Sequence, residues 1–335
     1  MFKKSPFFIA EISANHNGSL KNAKKLIHQA KRYGANAVKL QTYIPDLITI
    51  KSKNKYFKVK DGLWKNYYLW DLYNKGKTPL KWHRELFRYA KKIGIILFST
   101  PFDEKSLKFL EDLNCPFYKV ASFEMTHLPL IKKIASTKKH MIISTGMANL
   151  SEIKLAYETA IKYGARGVTL LYCVSNYPSK ITDFNLRNIE ILKKKFNCKV
   201  GLSDHSKDNI ISTLSLSLGA SVFEKHIALK GTKSLDAEFS LKGTEIFDYR
   251  KNLDQSFNLI RYNKFKRSKD ELKNKKLRCS IFSQKNIKKG DKFSLENIRI
   301  VRPGHGLEPR FFEKIIGKKF KLNLKKNFPV LKKHI

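Results

Sequence analysis

The chain has 335 residues, of which 42% are hydrophobic and 12% aromatic, a composition that excludes a disordered or fibrous protein and leaves room for about two domains. Its 68 Lys and Arg residues against 28 Asp and Glu residues give a formal net charge of +40. This imbalance makes nucleic acids, membrane surfaces and anionic substrates the first partners to consider.

The cysteines and the apolar runs indicate the compartment. The four cysteines are scattered, without a CxxC pair or a spacing typical of zinc sites or disulfide frameworks. The apolar stretch near the N-terminus is interrupted by Glu11, and no small-residue cleavage site follows it. No apolar run approaches the ~20 residues of a membrane span. We therefore expect an unexported cytoplasmic protein with no membrane partner.

Eight short runs of β-branched and aromatic residues, each followed by Gly, Asn, Ser or Pro, predict strands. They cover residues 7–12, 37–42, 95–100, 117–122, 141–146, 168–173, 200–205 and 222–227. Most gaps between them carry helical patterns, at residues 20–33, 79–93, 104–113, 128–136, 151–163, 186–196 and 209–218. This alternation predicts an α/β protein built as a (β/α)8 TIM barrel, with a doubly wound open sheet as the alternative.

A long insertion over residues 44–78 interrupts this alternation after the second predicted strand. Its aromatic residues are Tyr56, Phe57, Trp64, Tyr67, Tyr68, Trp70 and Tyr73. A segment of this length and composition is more typical of a lid or an interface than of a plain connection.

Polar side chains stand at the carboxyl ends of nearly all the predicted strands, where barrels of this kind carry their chemistry. Any single hydroxyl is as consistent with strand capping as with catalysis, but convergence from so many strands predicts an active site. The residues concerned are Glu11, Lys39, Gln41, Ser99, Thr100, Lys119, Ser122, Glu124, Ser144, Thr145, Ser203, His205, Glu224 and His226.

Two of these residues, His205 and His226, end consecutive strands and could reach one cation. With carboxylates such as Glu11, Glu124 and Asp236 nearby, and with no thiolates, they suit a divalent ion such as manganese better than a closed zinc site. The alternative is a pair of hydrogen-bonded core histidines. Of the remaining histidines only His16, in the loop after the first strand, is placed for chemistry.

Two lysines, Lys39 and Lys119, lie within otherwise apolar strands, where an unpaired ammonium group is costly. With the hydroxyls of Thr100, Ser144 and Ser203 they could form a pocket for a phosphate or a carboxylate. The alternative is internal pairing with Glu11 or Glu124, and the two are compatible.

The composition changes after residue 247. Residues 248–278 are polar and rich in lysine, which predicts a helix and an exposed basic linker. Residues 279–335 form a β-rich segment that would be marginally stable alone. We therefore predict a barrel over 1–247, a linker over 248–278 and a small C-terminal domain over 279–335.

Ordered motifs along the chain resemble those of the sialic acid synthases, which condense phosphoenolpyruvate with an N-acetylated hexose. They are "AEISANHNGSLKNA", "AVKLQTYIPD", "FSTPFD", "YKVASFE", "IISTGMA", "LLYCVSNYP", "VGLSDHS", "FEKHIAL" and "LDAEFSL". The terminal "KNIKKGDKFSLENIRIVRPGHGLEP" is similar to the antifreeze-like (SAF) domain fused to these barrels.

The resemblance implies roles for individual residues. It implies that His205 and His226 bind manganese, with magnesium or cobalt as alternatives. It implies that phosphoenolpyruvate is held by Lys39, Thr100, Lys119, Ser122, Ser144, Ser175 and Ser203. The residues implied to face the sugar or metal-bound water are Glu11, Glu124, Tyr177 and Asp236. Arg302 matches an arginine that a partner subunit delivers to the N-acetyl group, within a domain-swapped homodimer.

Several segments, including "SANHNGS" and "LYNKGKTPLKWHRELF", are more similar to pseudaminic acid synthases than to N-acetylneuraminate synthases. The acceptor expected from this similarity is 2,4-diacetamido-2,4,6-trideoxy-altrose. N-acetylneuraminate or legionaminate synthesis from an N-acetylated mannose-type sugar is the alternative. Departures from the family pattern occur at 207–209, at 138–140 and at Asn327.

Two further hypotheses remain open. The net charge of +40 is consistent with a basic nucleic-acid-binding protein, but the charge is spread along the chain and no nucleic-acid-binding motif accompanies it. A related barrel enzyme that condenses phosphoenolpyruvate with an unmodified sugar is the second.

Overall fold

A computed structural model of the chain describes residues 6–262 and 264–335. The chain forms two compact units, Met1–Arg261 and Tyr262–Ile335. The predicted linker over 248–278 begins inside the last helix of the first unit, Glu245–Ile260. This helix continues past the change in composition because Tyr249 and Leu253, four positions apart on one face, are buried in the core of the first unit.

The eight predicted strands are all present, with ends shifted by no more than two residues. They are β1 (Phe7–Glu11), β2 (Ala37–Thr42), β3 (Ile96–Pro101), β4 (Tyr118–Val120), β5 (His140–Ser144), β6 (Gly167–Cys173), β7 (Lys199–Asp204) and β8 (Val222–Ala228). The strands are parallel and neighbours in sequence order, and β1 also pairs with β8. This closure confirms the TIM barrel and excludes the open sheet. A short β9 (Leu241–Lys242) pairs with the end of β8.

The helices of the first unit that lie outside the insertion cover the barrel with one apolar face. Ala23, Leu26, Ile27 and Ala30 show the spacing of such a face and are fully buried. The helices are α1 (Leu20–Arg32), α2 (Pro45–Ile48), α3 (Leu69–Gly76), α4 (Leu80–Ile93), α5 (Glu104–Asp112), α6 (Leu128–Ser136), α7 (Leu150–Lys162), α8 (Arg187–Phe196), α9 (Asn209–Ser217) and α10 (Glu245–Ile260).

Strand register brings the polar strand ends together inside the barrel. Glu11 of β1 is in register with Lys39 of β2 on one side and with His226 of β8 on the other. Ser203 of β7 is in register with Glu224 of β8. Because side chains alternate along a strand, residues two positions apart, such as Glu224 and His226, share the inner face.

A second polar network lies on the outer face of β7 and β8. Lys225 Nζ forms an ion pair with Asp204 Oδ2 at 2.9 Å and also donates to the Ser206 carbonyl. The Ser212 hydroxyl of α9 donates to the same carboxylate at 3.1 Å and lies 2.9 Å from the Tyr249 hydroxyl of α10. This network ties the two strands to the two helices packed behind them.

The second unit has a small core of its own. It contains α11 (Lys269–Lys273), α12 (Phe312–Ile315) and an antiparallel pair formed by β10 (Ser280–Ser283) and β11 (Ile298–Val301). The buried apolar side chains are Ile281, Ile287, Phe293, Ile298, Leu307, Ile315, Phe320, Leu324 and Val330. Within the described parts of both units, no helix is both long and apolar enough to cross a membrane.

The Asp204–Lys225 pair generates the first prediction. Lys225→Met leaves the Asp204 carboxylate buried without its cation, so we expect the free energy of unfolding to fall by about 3–5 kcal/mol. Denaturant unfolding measures this change. The matched control is Lys154→Met, which removes an exposed pair with Glu158 at 3.7 Å and should cost less than about 0.5 kcal/mol. Equal losses in the two variants would contradict the structural role of the buried pair.

Candidate active site

Four charged side chains meet inside the barrel. Lys39 Nζ forms an ion pair with Glu11 and lies 3.6 Å from Glu224 Oε1. Lys119 Nζ lies 4.0 Å from Glu224 Oε2, and Ser203 Oγ donates to Glu224 Oε1 at 3.3 Å. All four charged groups are buried. The internal pairing considered from the sequence therefore exists for Glu11, and Glu224 acts as a second carboxylate shared by both lysines.

These groups set one another's charge states. Burial raises the pKa of Glu11 to about 7, although Lys39 opposes the rise. Burial also disfavours ionised Glu224, but Lys119 and Lys39 outweigh burial and hold the pKa of Glu224 below its ordinary value. Burial lowers the pKa of Lys119; it opposes the charged form of Lys39 too, but Glu11 and Glu224 raise the pKa of Lys39. Glu224 therefore stays ionised more readily than an ordinary glutamate, while Glu11 titrates near neutral pH.

Hydroxyl groups stand beside both ammonium groups. Lys39 Nζ donates to Thr100 Oγ1 at 3.2 Å, and Lys119 Nζ donates to Ser144 Oγ at 2.6 Å. Each lysine is therefore held between a carboxylate and a hydroxyl of a neighbouring strand. An anion that enters this pocket would meet both a positive charge and a hydrogen-bond donor.

Ser122 and Ser175 approach the turn after β5 at Gly146. The Gly146 N–H donates to Ser122 Oγ at 3.1 Å. A Cβ atom at position 146 would overlap the Ser175 hydroxyl and come within 2.7 Å of Ser122 Oγ. Only glycine permits this close approach, which brings the two hydroxyls together at the ends of β4 and β6.

The rings of the two histidines are adjacent and meet edge-on, with their centroids 5.3 Å apart. His205 Nδ1 lies 3.0 Å from the Val174 carbonyl oxygen. Because a carbonyl only accepts, Nδ1 carries a proton, and Nε2 is the nitrogen of His205 that a metal ion could bind. His226 Nδ1 is buried, and among the described residues it has no hydrogen-bond partner, with Asp236 Oδ2 3.8 Å away.

This arrangement fits a divalent cation. A buried imidazole nitrogen without a partner indicates a missing ligand, since buried polar atoms are almost always satisfied. His205 and His226 would supply two ligands of a coordination shell that water and substrate complete. Over residues 6–262 and 264–335, no three His, Cys, Asp or Glu side chains gather as a metal-binding group. The donor set therefore does not resemble the closed cage of a structural zinc site.

Glu124 ends a single 3-10 turn, Ser122–Glu124, that follows β4. Burial raises its pKa to about 7, and Lys119 opposes this rise. Within the described chain its Oε2 atom is buried without a hydrogen-bond partner. Glu124 is thus a second carboxyl group of this unit that can exchange a proton near neutral pH.

The remaining predicted site residues are placed as follows. The ring of Tyr177 lies 4.4 Å from that of His205. Asp236 is buried, which raises the pKa of its carboxyl group, and Ser13 and Ala14 oppose this rise by hydrogen bonding. Arg302 is exposed in the second unit, directly after β11 and before a cis peptide bond to Pro303.

His16 is not directed towards the charged cluster. Its Nε2 lies 3.3 Å from Thr78 Oγ1, its Nδ1 accepts from the Gly18 N–H at 3.1 Å, and its ring contacts Trp82 edge-on. Burial, with a smaller effect of His83, lowers its pKa to about 4. It is a neutral core histidine that secures the loop after β1.

Glu224 is one of the predicted strand-end residues, but the sequence assigned it no specific role, and the structure makes it the carboxylate shared by Lys39 and Lys119. Trp64, by contrast, was not indicated by the sequence as a residue near the site. Trp64 of the aromatic insertion packs 5.1 Å from the Tyr177 ring. No local pattern identifies that contact.

Over most of its length, the chain is similar to a known protein family. The NeuB family matches residues 26–262, and the SAF domain matches residues 278–335. The pseudaminic acid synthase of Campylobacter jejuni subsp. jejuni serotype O:2 is 41% identical over 96% of this chain and 94% of its own length. The N,N'-diacetyllegionaminic acid synthase of the same organism is 38% identical over 94% and 96%.

The structure of the chain is also similar to a solved crystal structure. The N-acetylneuraminic acid (sialic acid) synthetase from Leptospira borgpetersenii serovar Hardjo-bovis, in complex with citrate, superimposes with a TM-score of 0.71. The two proteins are 28% identical, and the match covers 81% of this chain and 90% of the other.

The raised pKa of Glu124 generates a stability prediction. A carboxyl group with a folded-state pKa of about 7 and an ordinary value of 4.5 contributes stability that is present below pH 4.5 and lost as the pH rises through 7. Between pH 4.5 and 8, wild type should therefore lose about 3 kcal/mol of unfolding free energy relative to Glu124→Gln. Denaturant unfolding at each pH measures the difference. Glu158→Gln, at an exposed carboxylate, should show the same pH dependence of the unfolding free energy as wild type. If Glu124→Gln also showed the wild-type pH dependence, the raised pKa of Glu124 would be contradicted.

Proposed function

The chain belongs to the NeuB family and carries a SAF domain, and from this premise we propose that it condenses phosphoenolpyruvate with 2,4-diacetamido-2,4,6-trideoxy-altrose. The products are pseudaminic acid and phosphate. The observation that carries the proposal is the pair of buried lysines, Lys39 and Lys119, together with two adjacent histidines, His205 and His226. The 41% identity to a pseudaminic acid synthase favours this acceptor.

Phosphoenolpyruvate is a small polyanion, and the lysine pocket matches it. Lys39 and Lys119 supply charge, and neighbouring hydroxyls supply directed hydrogen bonds to carboxylate and phosphate oxygens. In this proposal the pocket comprises Lys39, Thr100, Lys119, Ser122, Ser144, Ser175 and Ser203. The serines near Gly146 would hold one anionic group while the lysines hold the other.

A divalent cation, manganese in the first instance and magnesium or cobalt otherwise, would be held by His205 and His226. When bound, it supplies Lewis-acid polarisation of the aldehyde oxygen of the open-chain sugar. Tyr177 and Asp236 border the same space and orient the sugar, and Glu11 balances charge beside Lys39.

The protein's part in the reaction is to align three reactants and move protons. Carbon 3 of phosphoenolpyruvate attacks the sugar aldehyde, and water adds to carbon 2. Glu124, with a pKa of about 7, accepts a proton from that water as a general base. The resulting tetrahedral carbon releases phosphate by cleavage of its C–O bond and becomes a ketone. One proton of the water passes to the oxygen of the former aldehyde, and the other leaves with the phosphate. Holding the reactants in register contributes up to ~7–11 kcal/mol.

We further propose that the protein acts as a domain-swapped homodimer in the cytoplasm. In that arrangement Arg302 of one subunit contacts an acetamido group in the site of the other. A planar guanidinium suits an amide oxygen as a partner.

Synthesis of N,N'-diacetyllegionaminic acid is the second candidate function. The 38% identity to a synthase of that acid favours it nearly as much as the 41% identity favours the first. The two candidates differ in the acceptor, not in the lysine pocket or the histidine pair.

An acceptor panel tests the proposed function. Purified protein with phosphoenolpyruvate and manganese should release phosphate and form the nine-carbon acid, detected by mass, with the altrose-type sugar. An N-acetylated mannose-type sugar should react more slowly. Removal of divalent ions by a chelator should stop the reaction, and manganese should restore it. Faster turnover of the mannose-type sugar would favour the second candidate, and no turnover of any sugar would overturn the enzyme assignment.

The lysine pocket generates a kinetic prediction. Lys119→Met removes one of two buried ammonium groups, so we expect KM for phosphoenolpyruvate to rise about 30-fold or more. The KM for the sugar should change much less. Steady-state kinetics with each substrate varied in turn measures both constants. Lys154→Met, at an exposed position, is the matched control, and an unchanged KM for phosphoenolpyruvate in Lys119→Met would contradict the assignment.

A further inference from the structure

One side chain of the aromatic insertion, Trp64, reaches the site although the mechanism above makes no use of it. The Trp64 indole N–H donates to the Leu235 carbonyl at 3.1 Å. Its ring centroid lies 5.1 Å from that of Tyr177 and 6.5 Å from that of Phe239. Trp64 is half-buried, so part of the indole is left uncovered.

The three rings form one continuous apolar wall that ends at the histidine pair. Tyr177 lies 5.3 Å from Phe239 and 4.4 Å from His205, measured between ring centroids. Phe239 is 2% exposed and lies 4.9 Å from His226. Hydroxyls and charges line the other parts of this interior, so this wall is its apolar side.

The loop that carries Trp64 is built by its own contacts. Lys58 and Tyr68 form an antiparallel bridge, and the Val59 N–H donates to the Tyr67 carbonyl at 2.9 Å. The Asn66 N–H donates back to the Val59 carbonyl at 2.9 Å. The position of the indole is therefore prepared before any ligand binds, which lowers the entropic cost of recognition.

We propose that Trp64 determines acceptor specificity by favouring sugars with apolar substituents at the end remote from the aldehyde. This inference rests on the proposed function, which puts the aldehyde beside His205 and His226. The order of rings from His205 through Tyr177 to Trp64 then aligns the indole with carbons 4 to 6 of the sugar.

The chemistry of the proposed acceptor matches such a wall. It carries a methyl group at carbon 6 and an acetamido group at carbon 4, where N-acetylmannosamine carries hydroxyls. Methyl groups pack favourably on an indole. A hydroxyl buried against the same surface loses its water without gaining a partner, which is unfavourable. Trp64 thus both attracts the deoxy sugar and disfavours the hydroxylated one.

The alternative is that Trp64 only anchors the insertion through Leu235. An anchoring role would affect stability or all substrates equally. A recognition role changes the ratio of kcat/KM between two acceptors, which anchoring alone does not move. That ratio is therefore the decisive measurement.

The test compares Trp64→Ala, Trp64→Phe and the control Trp70→Ala. Trp70 lies in the same insertion, but its indole N–H donates to Asp46 at 2.8 Å and Lys51 Nζ lies 4.3 Å from its ring. Trp64→Ala should lower kcat/KM for the altrose-type sugar about 10- to 100-fold, mainly through KM. Its KM for phosphoenolpyruvate should not change. The ratio of kcat/KM for the altrose-type sugar to kcat/KM for N-acetylmannosamine should become smaller than in wild type. Trp64→Phe should retain most of the preference, and Trp70→Ala should behave as wild type.

The outcomes separate this inference from the proposed function. If wild type is active and Trp64→Ala is folded, a loss of kcat/KM that is equal for both sugars, or no loss for either, would overturn the specificity role alone. A wild type that turns over only N-acetylmannosamine would overturn the proposed function and this inference together. Thermal unfolding of each variant identifies any that fails to fold. If Trp64→Ala does not fold, Trp64→Leu, which keeps an apolar side chain but loses the ring, takes its place and should likewise narrow the preference for the altrose-type sugar.

Discussion

The ion pairs of Glu224 are the interaction on which the interior of the barrel depends. Two ammonium groups inside a closed parallel sheet would be prohibitive without a counter-charge. Glu224 lies 3.6 Å from Lys39 and 4.0 Å from Lys119, and Glu11 completes the balance. The site is therefore stable before a ligand arrives. An entering polyanion adds negative charge, which raises the pKa of nearby carboxyl groups. Glu11 and Glu124, both with a pKa of about 7, can respond by taking up protons.

Side chains alternate between the two faces of β7 and β8, so the residues of the candidate site and the residues that hold the strands in place lie on opposite faces. His205, Glu224 and His226 face the interior, while Asp204 and Lys225, adjacent to them in sequence, face the helices. The buried outer ion pair holds the two strands in register, and the hydroxyl chain through α9 to α10 ties that register to the surrounding shell. The spacing of the two imidazoles is thus set by groups that never meet the substrate. Side chains that are locked from behind are those that can present a precise geometry.

Features that depend on local sequence pattern, such as the strands and their order, could be predicted from the sequence. Side-chain contacts between distant segments could not. Strand bounds followed from short β-branched runs, and strand closure from their number. The position of His16 directly after β1 predicts a role in chemistry, but its ring contacts Thr78 and Trp82, which lie far along the chain. Trp64 reaches Leu235, 171 positions away, and no periodicity encodes such a contact. Glu224 was predicted as a strand-end residue of the site, but its sharing by both lysines depends on the curvature of the closed sheet.

The net charge of +40 has its origin outside the catalytic interior. Inside, two lysines face two glutamates, so the cluster is close to neutral and the excess positive charge belongs to the exposed side chains. The surface charge and the charged cluster inside the barrel act over different distances. Surface charge acts over about a Debye length, ~8–10 Å at physiological salt, and raises the local concentration and the association rate of an anionic substrate. It carries no information about which anion arrives. Selection occurs only where water is excluded, because there a misplaced or unpaired group costs the most.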